Sequence, residues 1–401
     1  MFLDLAGMVL LVTAIGLFVP VGVVLLQVTA AMSRREPLAV EAAAPAARRP
    51  RVVVLVPAHD EASGIAAGLA TIARQLHAGD RLLVVADNCS DDTAQVAAAA
   101  GAEVIERRDA DRRGKGYALD FGIRHLEADP PEAVVMVDAD CELHPGSLDL
   151  LARSCMREQR PVQALDLMLA PADSGLRTRI AAFAWAVKNH ARPLGALRLG
   201  LPCQLMGTGM AFPWTLIRHA PLASGHIVED MRLGLDLAAA GAPPRFCPQA
   251  RVTSYFPRDT QGEAEQRARW EQGHVGVIIQ EAPRALWRAI QLRRPALAWM
   301  VLDLCVPPLT MLIVLLLLQS LLCAALWLAG GSGVPLAWSA LASGGIALAL
   351  GMAWRRFGRD IVSLRDLLSV PGYVFAKLPL YARLFRRAPP AWVRAKRDEH
   401  K

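Results

Sequence analysis

The chain has 401 residues, 54% of them hydrophobic, with a mean hydropathy of +0.30, a formal net charge of +7 and a pI near 9.3. That length allows two domains or one domain with membrane segments, and the hydropathy favours the second. The basic balance does not indicate nucleic acid, because Lys and Arg gather beside the apolar tracts and in the tail, and no zinc-finger spacing or aromatic-interleaved basic strand accompanies them.

The first tract, Leu5 to Met32, holds no charge and lies between Asp4 and Arg34-Arg35. Roughly 20 apolar residues cross a bilayer, and here the basic residues follow the apolar run, so residues 1–33 read as a retained transmembrane anchor and not as a signal peptide. Residues 34–50, rich in Ala and Pro, read as a linker. A domain over residues 51–280 follows. Its opening run, Arg51-Val-Val-Val-Leu-Val-Pro57, has the composition of a buried strand, followed by a helix over Glu61 to Gln75, a strand at Leu82 to Ala86, a helix at Asp91 to Ala100, and strands at Ala102 to Glu106 and Val134 to Val137. This alternation predicts an α/β domain, a Rossmann-like, mostly parallel sheet with flanking helices. The segment Thr178 to Leu201 mixes apolar residues and Trp185 with Arg179, Lys188, Arg192 and Arg198, which suits a helix on the bilayer surface or an ordinary core helix.

Residues 281–303 read as an interfacial segment. Residues 304–354 carry no charge and are broken by Gly330-Gly331-Ser332-Gly333, which predicts two transmembrane helices with a tight turn. Residues 355–401 form a basic tail, with a helix expected over Leu367 to Phe385. Arg293 and Arg294 precede the pair, Arg355, Arg356 and Arg359 follow it, and the turn has no basic residue. The positive-inside bias therefore places the N-terminus and the Gly turn outside, and the domain and tail in the cytoplasm, in a multi-pass protein of a bacterial-type inner membrane. Seven cysteines with no Cys-x-x-Cys pair fit reduced packing residues in that compartment.

In such sheets ligands bind outside the carboxyl ends of the strands. His59, Asp60 and Glu61 follow the first strand, Asp87 and Asn88 the second, Asp138 and Asp140 the fourth. One acidic strand end is commonly a helix cap; three in one half-domain indicate a site. Asp138-Ala139-Asp140 directs two carboxylates the same way, able to share a divalent cation with a diphosphate. Arg112-Arg113-Gly114-Lys115-Gly116-Tyr117 joins cations to small residues before a helix, which suits a phosphate or a solvated loop; it is not a P-loop, and no dinucleotide-type Gly pattern follows Pro57. Glu229-Asp230 opens an amphipathic helix over Met231 to Ala240, as a cap or as a general base. Gln266-x-x-Arg269-Trp270 offers an amide, a phosphate-clamping guanidinium and a stacking ring, or a plain amphipathic helix with an interfacial Trp. The nine histidines show no metal-ligand spacing; His226 and His274 read as polar loop residues.

Taken in order, Val56-Pro57-Ala58-His59-Asp60-Glu61, Ala86-Asp87-Asn88-Cys89-Ser90-Asp91-Asp92-Thr93, Arg113-Gly114-Lys115-Gly116, Asp138-Ala139-Asp140, Gly207-Thr208-Gly209-Met210, Glu229-Asp230 and Gln266-Arg267-Ala268-Arg269-Trp270 resemble the family 2 glycosyltransferases of GT-A fold, over about residues 50–275. The membrane-bound members include bacterial exopolysaccharide transferases and, more distantly, cellulose, chitin and hyaluronan synthases. The resemblance implies nucleotide-sugar binding by Pro57, Glu61, Asp87, Lys115, Asp138, Gln266 and Arg269, and Mg or Mn on Asp138 and Asp140. It also implies Asp230 as catalytic base beside Glu229, and acceptor contacts from Gly207, Thr208, Gly209 and Trp270. The chain departs from the synthases in Val228-Glu229-Asp230, where they often carry Thr-Glu-Asp, and in its three spans, where they use a larger bundle. The expected activity is inverting transfer from a UDP-sugar to a lipid-linked or polymeric glycan, with membrane lipids as surroundings. The alternatives are a processive subunit served by an export or channel partner, and an inactive sugar-nucleotide sensor.

Overall fold

A computed structural model describes residues 2–33, 48–225, 228–257 and 260–368, with backbone alone at residues 2, 260–267 and 368. Most of the expected linker, the Gln266 side chain, His226, and nearly all of the expected tail helix lie outside the described residues.

Helix α1 (Phe2–Met32) leads to β1 (Val52–Ala58), α2 (Ile65–Ala73), β2 (Arg81–Asp87), α3 (Thr93–Ala99), β3 (Glu103–Arg107), α4 (Lys115–His125) and β4 (Ala133–Met136). The four strands lie parallel in the order β3-β2-β1-β4. They are the four strands expected from the sequence, with ends shifted by one residue. Both faces of β1 are apolar: Val52, Val54 and Val56 pack against α2 and its neighbours, Val53 and Leu55 against α4 and its neighbours, as a strand covered by helices on both sides requires. Helix α2 starts at Ile65, later than the predicted Glu61. Asp60 turns the chain with φ of 52°, and the N–H groups of Glu61 and Ala62 donate to Thr93 Oγ1 and Asp91 Oδ2 at 2.7 and 3.1 Å, outside any helix.

Strand β5 (Glu142–Leu143), α5 (Ser147–Glu158), β6 (Val162–Leu169), β7 (Met210–Pro213) and β8 (Arg245–Tyr255) complete a sheet of order β3-β2-β1-β4-β7-β6-β8-β5. Strand β7 runs antiparallel to β4 and β6, and β5 to β8, while β6 and β8 are parallel. The expected parallel arrangement thus holds for the first half, and the whole sheet is mixed. Between β6 and β7 the chain forms α6 (Leu176–Ala186), a π-helical turn (Val187–Ala191) and α7 (Arg192–Arg198). This rod buries Phe183, Val187 and Ala191 against the membrane helices and Leu194 beside Leu165 of β6. It is a core element between sheet and spans, the second of the two readings the sequence allowed.

The short α8 (Trp214–Ile217), then α9 (Glu229–Ala239), α10 (Thr260–Gln280), α11 (Ala282–Gln291) and α12 (Pro295–Leu304) lead to α13 (Leu309–Leu328) and α14 (Val334–Ala353). Three helices, Leu3–Met32, Leu309–Leu328 and Val334–Gly358, are long and apolar enough to cross a membrane. Val21, Val24 and Val28 of α1 pack with Leu312, Leu316, Ala342 and Ile346. Leu5, Met8 and Val12 stay exposed on the face that lipid would cover. Helix α11 buries Ala282, Ala285 and Ala289 and exposes Leu286, Trp287 and Ile290.

A buried polar knot joins α1, α7 and α12. Arg192 Nη2 lies 2.7 Å from Asp303 Oδ1, Arg192 Nε donates to Gln27 Oε1 at 2.8 Å, and Gln27 Nε2 donates to Asp303 Oδ1 at 2.6 Å. Gly195 meets α1 so closely that a Cβ would fall 1.8 Å from the Gln27 carbonyl oxygen. Arg198 donates to the carbonyls of Ala30 and Ala31 at the end of α1, where the last carbonyls lack full helical pairing and Ala30 also accepts from the Ser33 N–H at 3.2 Å.

Candidate active site

The carboxyl ends of β1, β2 and β4 open on one side of the sheet, onto a cavity of about 450 Å³. Its lining includes Pro57, Glu61 and Asp87 at and after the ends of β1 and β2, with Lys115, Asp138 and Asp140. Gly207, Thr208, Glu229 and Asp230 contribute to the wall, as do Arg269 and Trp270 of α10. Gly209 is not on the wall: with φ of +63° it packs under the sheet, where a Cβ would meet Val252 and Ala164 at 2.8 and 2.9 Å.

Lys115 is the hub. It stands in the first turn of α4, after Gly114 at φ 133°. The next residue, Gly116, has no room for a Cβ, which would lie 2.5 Å from the Leu222 carbonyl oxygen; this close approach presses the start of α4 onto the 222–224 loop. Lys115 Nζ reaches Asp138 Oδ1 at 2.5 Å, donates to the Gly207 carbonyl at 2.8 Å and lies 3.8 Å from Glu229 Oε1. Burial disfavours its charge, but Asp138, Glu229 and Asp230 outweigh that and hold the ammonium protonated well above the ordinary lysine range. Glu229 and Asp230 occupy the first turn of α9, with no side-chain cap bond from Val228 before them. Burial raises the pKa of both, against the pull of Lys115. A raised pKa suits a carboxylate that must accept a proton.

The loop between α7 and β7 is braced from β6. Fully buried Gln163 accepts from the Met206 N–H at 2.8 Å and donates to the Thr208 carbonyl at 2.9 Å, clamping both sides of Gly207. Thr208 Oγ1 accepts from the Asp138 N–H at 3.1 Å. At Gly207, φ +89°, a Cβ would sit 3.5 Å from Asp230 Oδ2. Asp87 is oriented by Arg107 Nη1 at 2.6 Å, and Arg107 in turn stacks over Tyr117.

The paired carboxylates after β4 suit a hard divalent cation. Asp138 and Asp140 offer only carboxylate oxygens, and burial together with repulsion from Asp138 and Asp140 pushes the Asp166 carboxyl up to about 7. Negative charge is thus concentrated where a cation would relieve it. Asp60, Cys89 and Asp91 also converge. Their oxygens already accept loop N–H groups, from Ser90 to Asp60 and from Thr93 and Ala62 to Asp91, so this cluster locks the β1 and β2 loops together.

Sequence reasoning missed Gln163 and Asp166, and did not place Trp185 and Lys188 in the cavity. The two β6 residues had a signal, since polar residues inside the apolar run Val162–Leu169 are buried only with partners. His274 is helical, buried, and donates from Nε2 to the Leu304 carbonyl at 3.0 Å. Burial, then the nearby Lys188 charge, lowers its pKa to about 3, so the ring is neutral.

Two solved structures illustrate what the chain is similar to. Mannosyltransferase PcManGT from Pyrobaculum calidifontis, solved in complex with GDP-Man and Mn2+, is 18% identical, covers 94% of this chain and 99% of its own, and superposes with a TM-score of 0.52. Glucosyl-3-phosphoglycerate synthase from Mycobacterium tuberculosis, in complex with Mn2+, UDP and glucosyl-3-phosphoglycerate, is 23% identical over 51% of this chain and 71% of its own, with a TM-score of 0.37. No curated protein matches the chain. The likeness to PcManGT is one of fold, a GT-A domain whose match extends over the apolar helices as well. The profile described as glycosyltransferase like family 2 matches residues 50–273, more than half of the chain, and the protein belongs to that family.

Proposed function

We propose that this chain is an inverting, metal-dependent glycosyltransferase that moves one sugar from a nucleotide-sugar, a UDP-sugar, to a hydroxyl of a lipid-linked or polymeric glycan in surface or exopolysaccharide synthesis. One observation carries this reading: the cavity that holds Asp138, Asp140 and Asp230 continues to Val24 of α1 and to Val306, Pro308 and Leu309 at the start of the second span. A nucleotide-sugar reaching the carboxyl end of the sheet and an acceptor arriving from the bilayer would meet in it. The fold shared with a mannosyltransferase solved with GDP-Man and Mn2+ supports a donor of this class with a divalent cation.

In this reading Asp230 accepts the proton of the acceptor hydroxyl. The freed oxygen attacks the anomeric carbon while the bond to the diphosphate breaks on the opposite face, which inverts the configuration. The diphosphate leaves with the bonding electron pair. Asp138 and Asp140 would hold Mg or Mn, which supplies electrostatic stabilisation to a departing diphosphate. Lys115 and Arg269 line the same cavity and add fixed positive charge to it. Trp270 offers a ring to a sugar face, and Glu61 and Asp87 border the nucleotide end. The domain lies in the cytoplasm, with the N-terminus and the Gly330–Gly333 turn on the other side of a bacterial-type inner membrane, as the basic flanks require.

The test is nucleoside diphosphate release by the detergent-purified protein, with lipid acceptors supplied, across a panel of UDP-sugars and GDP-mannose with Mg, Mn or chelator, followed by sizing of labelled product. Metal-dependent release with a product one sugar larger is expected. A long product would instead indicate a processive subunit with a channel partner. No release from any donor that still binds would indicate a sensor.

A further inference from the structure

The π-helical turn Val187–Ala191 interrupts the rod between β6 and the spans. Such turns are rare and cluster at functional sites. It carries Lys188 into the cavity wall, with Nζ 5.5 Å over the ring of Trp185, which also lines the cavity. Among the described residues Lys188 makes no side-chain ion pair or hydrogen bond. The Trp185 Nε1 donor is buried and equally without an acceptor. The carboxylates that act on Lys188 are Asp230, Asp166 and Asp303, and two of them are engaged elsewhere, Asp166 by Asn189 Nδ2 at 2.9 Å and Asp303 by Arg192. Two adjacent donors without acceptors, one of them cationic, are costly in a cavity unless an anion completes them.

The position of this pair selects the ligand. Lys188 sits beside the knot that ties α1 to α12, where it borders a small second cavity with Gln27, Arg192 and Asp303. The same cavity is lined by apolar residues of elements continuous with the apolar helices: Val24 of α1, Ile180 and Ala184 of α6, Val306 and Pro308 before α13, and Leu309 at its start. An anion bound here with a hydrocarbon chain along these residues has the chemistry of a lipid phosphate.

We propose that Lys188 and Trp185 form an acceptor subsite for the phosphate of a lipid-linked acceptor, and so set the class of acceptor as a phosphate-bearing membrane lipid. This inference rests on the transferase reading above. Its test is binding of farnesyl monophosphate and of farnesol to the full-length protein in phosphatidylcholine nanodiscs, beside binding of UDP and GDP with Mn. The wild-type protein is expected to bind the phosphate at least about tenfold more tightly than the alcohol, the scale of a charge-assisted contact. Inorganic phosphate at the same concentration should not displace it. Lys188→Met should abolish the preference, Lys188→Arg should keep most of it, and Trp185→Phe should reduce it about threefold, each with nucleotide affinity unchanged.

Equal binding of phosphate and alcohol by the wild-type protein would overturn the subsite. Displacement by inorganic phosphate would overturn its lipid character, and a Lys188→Met variant that loses nucleotide affinity while keeping the preference would assign Lys188 to the donor. If the wild-type protein binds nucleotide with Mn but shows no preference for farnesyl phosphate, this inference alone fails. If it binds no nucleotide at all, the transferase reading fails.

Discussion

The two halves of the sheet bury different kinds of residue. In β3, β2, β1 and β4 the interior is aliphatic on both faces and polarity is confined to the strand ends, at Glu61, Asp87, Asp138 and Asp140. In the half that meets the membrane helices, Gln163, Asp166, Asn189, Arg192 and Asp303 are buried, and most of their bonds cross to distant segments. The first half is a platform whose stability comes from apolar burial, leaving its rim free to carry charge. The second uses polar bonds, which are directional, to hold the Met206–Thr208 loop and to fix α1, α7 and α12 in one orientation, something apolar contact between smooth helices specifies poorly.

The largest effect is expected in the cavity, at the start of α9. Asp230→Asn should keep nucleoside diphosphate affinity and lower turnover by about 10²- to 10⁴-fold; a variant with near-normal turnover would take the base role away from Asp230. In the membrane-facing half, Arg192→Met strands the Asp303 carboxylate and should destabilise the protein by about 3–5 kcal/mol, read as a lower thermal inactivation midpoint. Adding Asp303→Leu should recover most of the loss, and if it does not, the knot is not a charge-matching device.

The same half contains a pH-sensitive group. His274, its pKa lowered to about 3, stays neutral in the folded protein while the unfolded chain takes a proton below about 6.5. Stability from this source is complete above that value and declines as pH falls toward 3, by about 2 kcal/mol at pH 5. The midpoint of His274→Gln should therefore drop less than that of the wild-type protein between pH 7.5 and 5; parallel drops would remove His274 as the cause. A smaller change is expected where the halves meet: Thr208→Val removes the acceptor of the Asp138 N–H and should cost about 1–2 kcal/mol, seen as weaker nucleotide binding with Mn. Unchanged binding would show that the β6 half does not position Asp138. Least perturbing is Ser332→Cys, which should label with an impermeant thiol reagent in intact cells, whereas Ser174→Cys should not. The reverse pattern would invert the assigned topology.

The platform was legible because its signals are local. Val52 to Val56 announce a buried strand by composition alone, and Asp87 and Asp138 mark strand ends by the change from apolar to acidic. Strands β6 and β8 were not legible: β8 contains Pro248 and charged residues, and their pairing, Val162 to Arg245 and Leu169 to Tyr255, joins distant segments. Glu61, Asp87, Asp138, Asp140, Glu229 and Asp230 from the quoted motifs converge on one cavity, but Gly209 packs against Ala164 and Val252 of the sheet, a close approach that could not be inferred from a motif.

By itself the sequence determined the strand-forming runs, the uncharged lengths of the three spans and the residue types able to bind a cation or accept a proton, since each depends on neighbours along the chain. Only the tertiary structure decided that these features share one cavity, that Lys115 is the counter-charge for three carboxylates, and that Lys188 and Trp185 face inward and not toward lipid. Those outcomes depend on which faces pack together and on a single π turn in the connecting rod. That turn redirects a side chain without changing the composition from which a helix is read.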